Sequence, residues 1–329
     1  MNELPIVLAQ RIANEFGIKG PVSSLGRLNQ NNWNWQVGNK VIKIFIPNNE
    51  DSLEEIPRWE RESHALRLVG PQRFAPALLA ERINEKGVPA HVRKHIPGKT
   101  LEDLGLSAAH LADVAEILRI IHTTHLKPKN RSNRNSLDWY IDRCEKTIRL
   151  FQINWPRHPI PTQFPPTLAK SLFEQFKDSI LQVANNSALD NLSLIHGDLL
   201  LTNIIMSEDS GHFMLIDWEY SGYRDPAADI SYITSQNPGL EPYREDFIQV
   251  YLDCSPLPEN EPSFAARLRA HDLVLDWIFA LWSANRALEI ASEVRTVSST
   301  IEKAIKLVWQ DYESRINRIA ERLEDGVPT

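Results

Sequence analysis

The apolar pattern of this chain changes character at one place, residues 96–98, which read Ile-Pro-Gly. Before this joint, short apolar runs separated by turn residues predict strands, and Gly38-Asn39 between the first two runs predicts a hairpin turn. The predicted strands are residues 33–37, 40–46, 77–81 and 90–95. Apolar residues at helical spacing predict a helix over residues 4–17, and a second helix is expected over 52–69.

After the joint the pattern is mainly helical, interrupted by a short β segment at residues 192–217. The predicted helices begin at Ser107, a capping residue, and continue at 136–152, 167–184, 242–253 and 262–325. Two segments, 126–135 and the proline-rich 154–166, are expected to lack regular structure. The sequence therefore predicts an α+β chain with a small β-rich lobe at 1–95, a larger helical lobe at 96–329, and a ligand site between them.

Composition restricts the class of partner. The chain has 329 residues, with 36 basic and 43 acidic side chains and a net charge of −7. This balance argues against a broad nucleic-acid or anionic-membrane surface, although a local phosphate site needs only one or two cations. The two cysteines, Cys144 and Cys254, form no CxxC pair, which is typical of a reducing compartment. With no targeting segment or membrane-spanning run visible, we expect a soluble cytoplasmic protein; its oligomeric state is left open.

The richest stretch for chemistry is residues 194–205, Leu-Ile-His-Gly-Asp-Leu-Leu-Leu-Thr-Asn-Ile-Ile, followed by a second acid at Asp217. Residues 204–206 and 213–216 read as two strands joined by a polar turn, so a hairpin is expected to hold Asn203 and Asp217 at neighbouring strand ends. Two such oxygen ligands suit Mg²⁺, which keeps waters and phosphate oxygens in its coordination shell. Asp198, on the same loop, would then face an acceptor hydroxyl.

The order His-x-Asp-x4-Asn, then apolar-apolar-Asp, resembles the catalytic loop and metal aspartate of the protein-kinase-like fold. His-Gly-Asp together with Asp-Trp-Glu-Tyr and Gly-x-x-Asp-Pro-x-x-Asp is similar to the aminoglycoside phosphotransferase and choline kinase superfamily, closest to its choline/ethanolamine and thiamine kinase-like branch. The resemblance implies a bilobal protein-kinase-like fold and transfer of the ATP γ-phosphate with Mg²⁺.

The same resemblance assigns roles in the N-terminal part. Lys43, in an apolar strand, would steady the phosphates of ATP, and Glu62, which fits the family's Arg-Glu-x-x-x-Leu pattern better than Glu60, would orient that lysine. Asn32 occupies the asparagine position of the nucleotide loop, which here contains no Gly-x-Gly-x-x-Gly. The run Lys94-His95-Ile96 looks like the hinge whose backbone bonds an adenine.

Supporting and acceptor roles complete the set. His196 is expected to brace the catalytic loop, Asp225 to cap the helix that begins near Pro226, and Asp229 to brace the same loop. Phe279 and Trp282 match an aromatic helix that lines the acceptor pocket in the choline kinase branch, although plain core packing explains their spacing equally well. Glu219 and Asp225 would add negative charge near a cationic acceptor.

The expected function is therefore an ATP-dependent phosphotransferase acting on a hydroxyl of a small, cationic molecule such as choline or ethanolamine. Thiamine or an aminoglycoside is the alternative acceptor. The alternative of another class is a nucleotide-binding pseudoenzyme that acts as a regulator.

Overall fold

The computed structural model describes residues 5–25, 32–46, 56–83, 87–125, 136–157, 160, 162, 164–186, 192–253, 261–293 and 299–324. The chain forms two compact units. The first consists of Met1–Lys127 together with Ser193–Pro258, and the second of Pro128–Leu192 together with Glu259–Thr329. The predicted lobe boundary between residues 95 and 96 falls inside the first unit, so it stays a prediction.

The first unit begins with a five-stranded antiparallel sheet of order β1-β2-β3-β5-β4. Its strands are Val22–Ser24 (β1), Asn32–Val37 (β2), Lys40–Phe45 (β3), Leu78–Ile83 (β4) and Pro89–Lys94 (β5). The hairpin predicted at Gly38-Asn39 is confirmed, because Val37 pairs with Lys40 across the turn. β1 was not predicted, since three residues carry too little periodic pattern to distinguish a strand from a loop.

Two helices belong to this sheet, Pro5–Glu15 (α1) and Arg58–Val69 (α2). The apolar face of α1, with Leu8 and Ile12, packs in one core with Val37, Ile42 and Ile44 of the sheet. On β3 the side chain of Lys43 alternates with Ile42 and Ile44, so it points to the opposite face. This alternation removes Lys43 from the α1 core and directs it toward α2.

The rest of the first unit consists of short elements around the motif-bearing loops. They are Gly98–Thr100 (β6), Leu101–Leu104 (α3), Ala108–Thr124 (α4), Ser193–Ile195 (β7), Ile204–Ser207 (β8), Phe213–Leu215 (β9), Gly222–Arg224 (β10), Ala227–Gln236 (α7) and Arg244–Asp253 (α8). β8 pairs with β9 and β6, while β7 pairs with β10. The hairpin predicted between residues 204 and 216 is thereby confirmed.

The second unit is helical, with Ser136–Asn154 (α5), Pro166–Asn186 (α6), Glu261–Glu293 (α9) and Ser299–Glu324 (α10). An aromatic cluster of Phe151, Trp309 and Tyr312 joins α5 to α10, and Phe173 meets Trp277 edge to face between α6 and α9. The helices predicted at 136–152 and 167–184 are confirmed. Within the proline-rich segment, Trp155–Arg157 forms a single 3₁₀ turn.

Some predictions lie outside the described residues: the nucleotide loop over 26–31, the first turn expected for the helix at 52–55, the polar loop 126–135, and Cys254. Among the helices that are described, none has the length and apolar character needed to cross a membrane.

Candidate active site

Lys43 and Glu62 form the ion pair that joins the sheet to α2. The Nζ atom of Lys43 lies 2.5 Å from Oε2 of Glu62, and both side chains are completely buried. The other oxygen, Oε1, accepts a hydrogen bond from Nη1 of Arg93 on β5 at 3.0 Å. Glu62 is therefore held by two cations from two neighbouring strands, which fixes the orientation of Lys43.

The ammonium of Lys43 also reaches the segment that follows β9. It contacts Oδ1 of Asp217 and lies 3.1 Å from Oε2 of Glu219. Burial by itself would lower the pKa of Lys43, but the carboxylates of Asp217, Glu219 and Glu62 outweigh it and hold that pKa above its ordinary value. Lys43 is thus a permanent cation facing three carboxylates.

Asp217 has an unusual backbone conformation. Its φ is +69°, a left-handed value shared, among non-glycine residues of the described part, only with Arg73. Such positions cost about 1–3 kcal/mol and persist where surrounding structure imposes them. Burial would raise the pKa of Asp217, but the charge and hydrogen bond of Lys43 lower it below the ordinary value. A third of its side chain remains exposed, so it is an ionised oxygen donor with an open side.

Asn203 is brought beside Asp217 by the β8–β9 hairpin. The N–H of Ile216 donates to the carbonyl of Asn203 at 2.9 Å, one residue before Asp217. The Nδ2 atom of Asn203 donates to the carbonyl of Asp198 at 2.9 Å and to its Oδ2 at 3.0 Å. Because the amide nitrogen is engaged in this way, the Oδ1 atom of Asn203 is the atom left for a metal.

Asp198 lies on the loop between β7 and the 3₁₀ turn Leu201–Asn203. Its Oδ1 accepts a hydrogen bond from the hydroxyl of Tyr232. Burial and the charge of Asp217 raise the pKa of Asp198 to about 7, while the hydrogen bonds from Tyr232 and Asn203 oppose this rise. A carboxyl that titrates near neutral pH is suited to accept a proton from a substrate hydroxyl.

The backbone before Asp198 is positioned by buried polar contacts. The ring of His196 is fully buried, with Nε2 2.9 Å from the carbonyl of Ile216, and burial lowers its pKa. Asp229 accepts the N–H groups of His196 at 2.7 Å and of Gly197 at 2.8 Å. Its Oδ2 also lies 3.2 Å from Nε2 of His122.

Asp225 accepts the N–H of Ala227 at 2.9 Å, at the start of α7. The residue directly before α7 is Pro226, which forms no side-chain cap, so the capping role of Asp225 stays a prediction. The contact with Ala227 occupies Oδ1 with the backbone of α7, and the suggestion that Asp225 attracts a cationic acceptor remains a prediction.

Glu219 is buried among groups of the chain itself. Its Oε1 lies 3.3 Å from Nη1 of Arg58, and its Oε2 accepts a hydrogen bond from Nδ2 of Asn32. Burial raises the pKa of Glu219, against the charges of Lys43 and Arg58. The role in acceptor binding predicted for Glu219 stays a prediction. Its contacts place its carboxylate in the same cluster as Asp217, since both contact Lys43. The Nδ2 atom of Asn32 is hydrogen-bonded within the same cluster. The contact predicted between Asn32 and the nucleotide stays a prediction.

The three residues predicted as the hinge differ in whether their backbone N–H group already has a hydrogen-bond partner. The N–H of Lys94 donates to the carbonyl of Ala77, and that of His95 donates to the carbonyl of Asn39, each at 2.9 Å. The N–H of Ile96 has no backbone partner among the described residues. The adenine contact expected of these three residues stays a prediction.

Phe279 and Trp282 lie on α9, which belongs to the second unit, whereas the residues described above belong to the first. The guanidinium of Arg315 stands 5.1 Å from the ring centre of Phe279 and covers one face of it. Trp282 is 39% exposed. The acceptor role predicted for the pair stays a prediction, and one face of Phe279 already holds a cation.

A divalent cation fits the first cluster by its donor set. Glu62, Asp217 and Glu219 each offer a carboxylate oxygen, and these oxygens lie within 4.8 Å of one another. Mg²⁺ prefers hard oxygen ligands, and in this structure the ammonium of Lys43 contacts all three carboxylates. Sequence reasoning missed Arg58, Arg93 and Tyr232. For Arg58 a signal existed, because it stands one helical turn before Glu62 and so shares its face.

Residues 26–283 match the model of the phosphotransferase enzyme family. This match covers well over half of the chain. The chain belongs to the phosphotransferase enzyme family. The predicted superfamily is confirmed, and the matched span includes every site residue predicted from the sequence.

Named relatives of this phosphotransferase family member are small-molecule kinases. A stretch of 102 residues is 32% identical to ethanolamine kinase 2 of Rattus norvegicus and takes up 27% of this chain and 26% of that protein, so the chain matches about a quarter of the length of this curated relative. A choline kinase from Streptococcus pneumoniae superposes with a TM-score of 0.65 at 18% identity, covering 96% of this chain and 98% of the other.

An aminoglycoside phosphotransferase, solved as a ternary complex with ADP and hygromycin B, superposes with a TM-score of 0.58 at 15% identity. The alignment covers 97% of this chain and 99% of the other. At such identities the likeness establishes the fold, and it confirms the predicted kinase-like α+β class.

Proposed function

We propose that this chain is an ATP-dependent kinase that transfers the γ-phosphoryl group to a hydroxyl of a small amino alcohol. The observation that carries the proposal is the cluster in which Lys43, paired with Glu62, meets Asp217 while Asp198 stands on the loop tied to Asn203. Phosphoryl transfer needs positioned cations, a metal site and a group that receives the hydroxyl proton. The first unit supplies side chains for each of these tasks.

ATP would be held from two sides. Lys43 would exchange its contacts with Asp217 and Glu219 for phosphate oxygens, since its pairing with Glu62 keeps it oriented while it does so. The N–H of Ile96 would bond the adenine. Nucleotide binding is supported by the solved complexes of fold relatives, one with AMP and one with ADP.

The metal would be held by Asp217, by Asn203 through Oδ1, and by Oε2 of Glu219. When bound, Mg²⁺ supplies positive charge that neutralises the β- and γ-phosphates during transfer. The chain prepares this site by keeping Asp217 ionised and by leaving part of its side chain open.

Asp198 would orient the acceptor hydroxyl and accept its proton. Its Oδ2 is held by Asn203 and its Oδ1 by Tyr232, so the carboxylate has little freedom to rotate. Fixing the attacking oxygen in line with the phosphorus is where most of the rate enhancement of such enzymes arises.

For the acceptor we propose an amino alcohol, with ethanolamine before choline. The curated relative is an ethanolamine kinase, and a structural relative is a choline kinase. A quaternary ammonium needs open aromatic faces, and Arg315 covers one face of Phe279. A primary ammonium depends less on aromatic faces, because it donates hydrogen bonds. Thiamine and aminoglycosides remain the alternatives.

The proposal is tested by measuring ADP release with Mg-ATP and a panel of ethanolamine, choline, thiamine and several aminoglycosides. The variant Asp198→Asn is the blank, and Asp113→Asn, an exposed acid on α4, is the matched control. We expect one acceptor to stimulate release, with turnover reduced about 10²- to 10⁴-fold in Asp198→Asn and unchanged in Asp113→Asn. Turnover near wild type in Asp198→Asn would contradict the role of Asp198.

If the wild-type protein binds Mg-ATP but releases no ADP with any acceptor of the panel, the result would contradict the kinase proposal. It would favour the nucleotide-binding pseudoenzyme.

A further inference from the structure

The start of α2 carries a buried arginine that touches three separate parts of the first unit. Arg58 is the first residue of the helix and is 2% exposed. Its Nη2 donates to the carbonyl of Ile46 at 2.8 Å, just past β3, and its Nη1 lies 3.5 Å from Oδ1 of Asn32 at the start of β2. The same Nη1 lies 3.3 Å from Oε1 of Glu219.

The two carboxylate oxygens of Glu219 have different partners. Oε1 faces the guanidinium of Arg58, and Oε2 faces Lys43 and Nδ2 of Asn32, on the side of Asp217. A planar guanidinium holds a carboxylate in a defined orientation better than a flexible ammonium does. With Oε1 restrained, the Oε2 atom stays beside the ammonium of Lys43, which Asp217 also contacts.

The positive charge of Arg58 also offsets the repulsion among the carboxylates of this cluster. Glu62, Asp217 and Glu219 gather three carboxylates within 4.8 Å, and buried carboxylates repel one another. Three buried cations oppose them: Lys43 contacts all three, Arg93 contacts Glu62, and Arg58 contacts Glu219. If Lys43 moved to the phosphates of a bound ATP, Arg58 would remain as a cation beside Glu219.

We propose that Arg58 is a positioning residue that presents Oε2 of Glu219 to the divalent cation next to Asp217. The inference rests on the proposed function, because it assumes a metal at Asp217 and Glu219. It adds a residue that touches neither metal nor substrate and acts through the carboxylate of Glu219. A further tie supports the rigid placement: Oγ of Ser221 donates to the carbonyl of Arg61 at 3.2 Å, which joins the first turn of α2 to the segment after Glu219.

The test is a Mn²⁺ titration followed by electron paramagnetic resonance, with a saturating non-hydrolysable ATP analogue and the full-length chain. In Arg58→Met we expect the dissociation constant for Mn²⁺ to rise about 10-fold or more, which is the usual effect of removing a partner of a metal ligand. The kcat should fall by a similar factor, while the KM for ATP changes little. Arg58→Lys, which retains the charge, should restore part of the Mn²⁺ affinity.

The matched control is Arg67→Met, the same substitution on the same helix. Arg67 pairs with Glu81, and 59% of its side chain is exposed, so its loss should leave Mn²⁺ affinity and kcat unchanged. Combining Arg58→Met with Glu219→Gln tests the route of the effect. If Arg58 acts through Glu219, its substitution adds nothing in the Glu219→Gln background.

Wild-type Mn²⁺ affinity in a folded Arg58→Met protein, or additive effects in the double variant, would overturn the inference. If circular dichroism shows that Arg58→Met is unfolded, Arg58→Lys and Arg58→Gln enter the same cycle, and unchanged affinity in both overturns it equally. Failure of the wild-type protein to bind Mn²⁺ would instead overturn the proposed metal site itself.

Discussion

Two aspartates of the first unit have opposite electrostatic environments. Burial and the neighbouring charge of Asp217 raise the pKa of Asp198 to about 7. Burial acts on Asp217 in the same direction, but Lys43 outweighs it and lowers the pKa of that carboxyl. Acid groups whose pKa values are driven apart in this way divide the work of a site between them. In the proposed function, Asp217 would stay ionised to bind a cation, and Asp198 would exchange a proton near neutral pH.

The pKa of Asp198 predicts an acid limb in the activity. The carboxylate form is the one that accepts a proton, so kcat/KM should fall tenfold per pH unit below about pH 7. The Tyr232 hydroxyl lowers this pKa by bonding the charged form, so Tyr232→Phe should raise it and move the limb to higher pH, by about one pH unit.

The measurement is kcat/KM from pH 5.5 to 9 for both proteins. Tyr223→Phe on β10, which removes a hydroxyl 3.5 Å from Nε2 of His64 on α2, is the control and should leave the acid limb at the same pH. A limb that stays put, or moves to lower pH, in Tyr232→Phe would contradict the proton-accepting role of Asp198.

At the scale of elements, the loop between β7 and β8 depends on one glycine. Gly197 has φ +80°, and a Cβ atom there would lie 2.4 Å from the carbonyl oxygen of Tyr220. The backbones of the two motif-bearing segments approach each other this closely only because no side chain stands between them. The segment that follows Asp217 and Glu219 thus lies directly against the residue before Asp198.

Gly197→Ala should both destabilise the protein and reduce turnover. Gly211→Ala is the matched control: Gly211 has φ +66° in the β8–β9 turn, and nothing lies within 4 Å of its Cβ position. The control should lose about 1–2 kcal/mol for left-handed backbone alone and keep its kcat. Gly197→Ala should lose more, because the clash adds to the strain, and its kcat should fall.

Urea unfolding and steady-state kinetics of the two variants measure this difference. Equal losses of stability, together with an unchanged kcat in Gly197→Ala, would show that the close approach to Tyr220 does not position the loop.

At the scale of the whole molecule, the candidate nucleotide and metal site draws on residues far apart in sequence within one unit. Lys43 and Glu62 come from the first stretch of that unit, and Asp198 and Asp217 come from the second. A ligand that bridges both stretches stabilises the folded form of that unit by mass action.

This organisation predicts a metal-dependent thermal shift. At 100 times its dissociation constant, Mg-ADP should stabilise the site-bearing unit by about 2.7 kcal/mol and raise its melting temperature by several degrees. Differential scanning calorimetry with and without EDTA measures the shift, and Asp217→Asn should lose most of it. An equal shift in EDTA would mean that nucleotide binds without the proposed metal ligands.

Much of this protein was predictable from local sequence. The β2–β3 hairpin follows from Gly38-Asn39 between apolar runs, α1 from its helical spacing, and the β8–β9 hairpin from two short apolar runs around a polar turn. These features depend on neighbours in the chain, which the sequence displays directly. The resemblance carried by residues 194–229 added the kinase-like fold, which the family match and the fold relatives confirm.

What the tertiary structure alone decided concerns partners that are distant in sequence. The sequence placed Lys43 with Glu62 but showed no sign that Glu62 is shared with Arg93, or that Arg58 and Asn32 meet at Glu219. It predicted three hinge residues, but not that the N–H groups of Lys94 and His95 bond to Ala77 and Asn39. Of the three, the N–H of Ile96 is the one without a backbone partner in the described part of the chain. The reason is physical: strand and helix periodicity reflects burial by near neighbours, whereas the charge partner of a buried side chain depends on how whole elements pack.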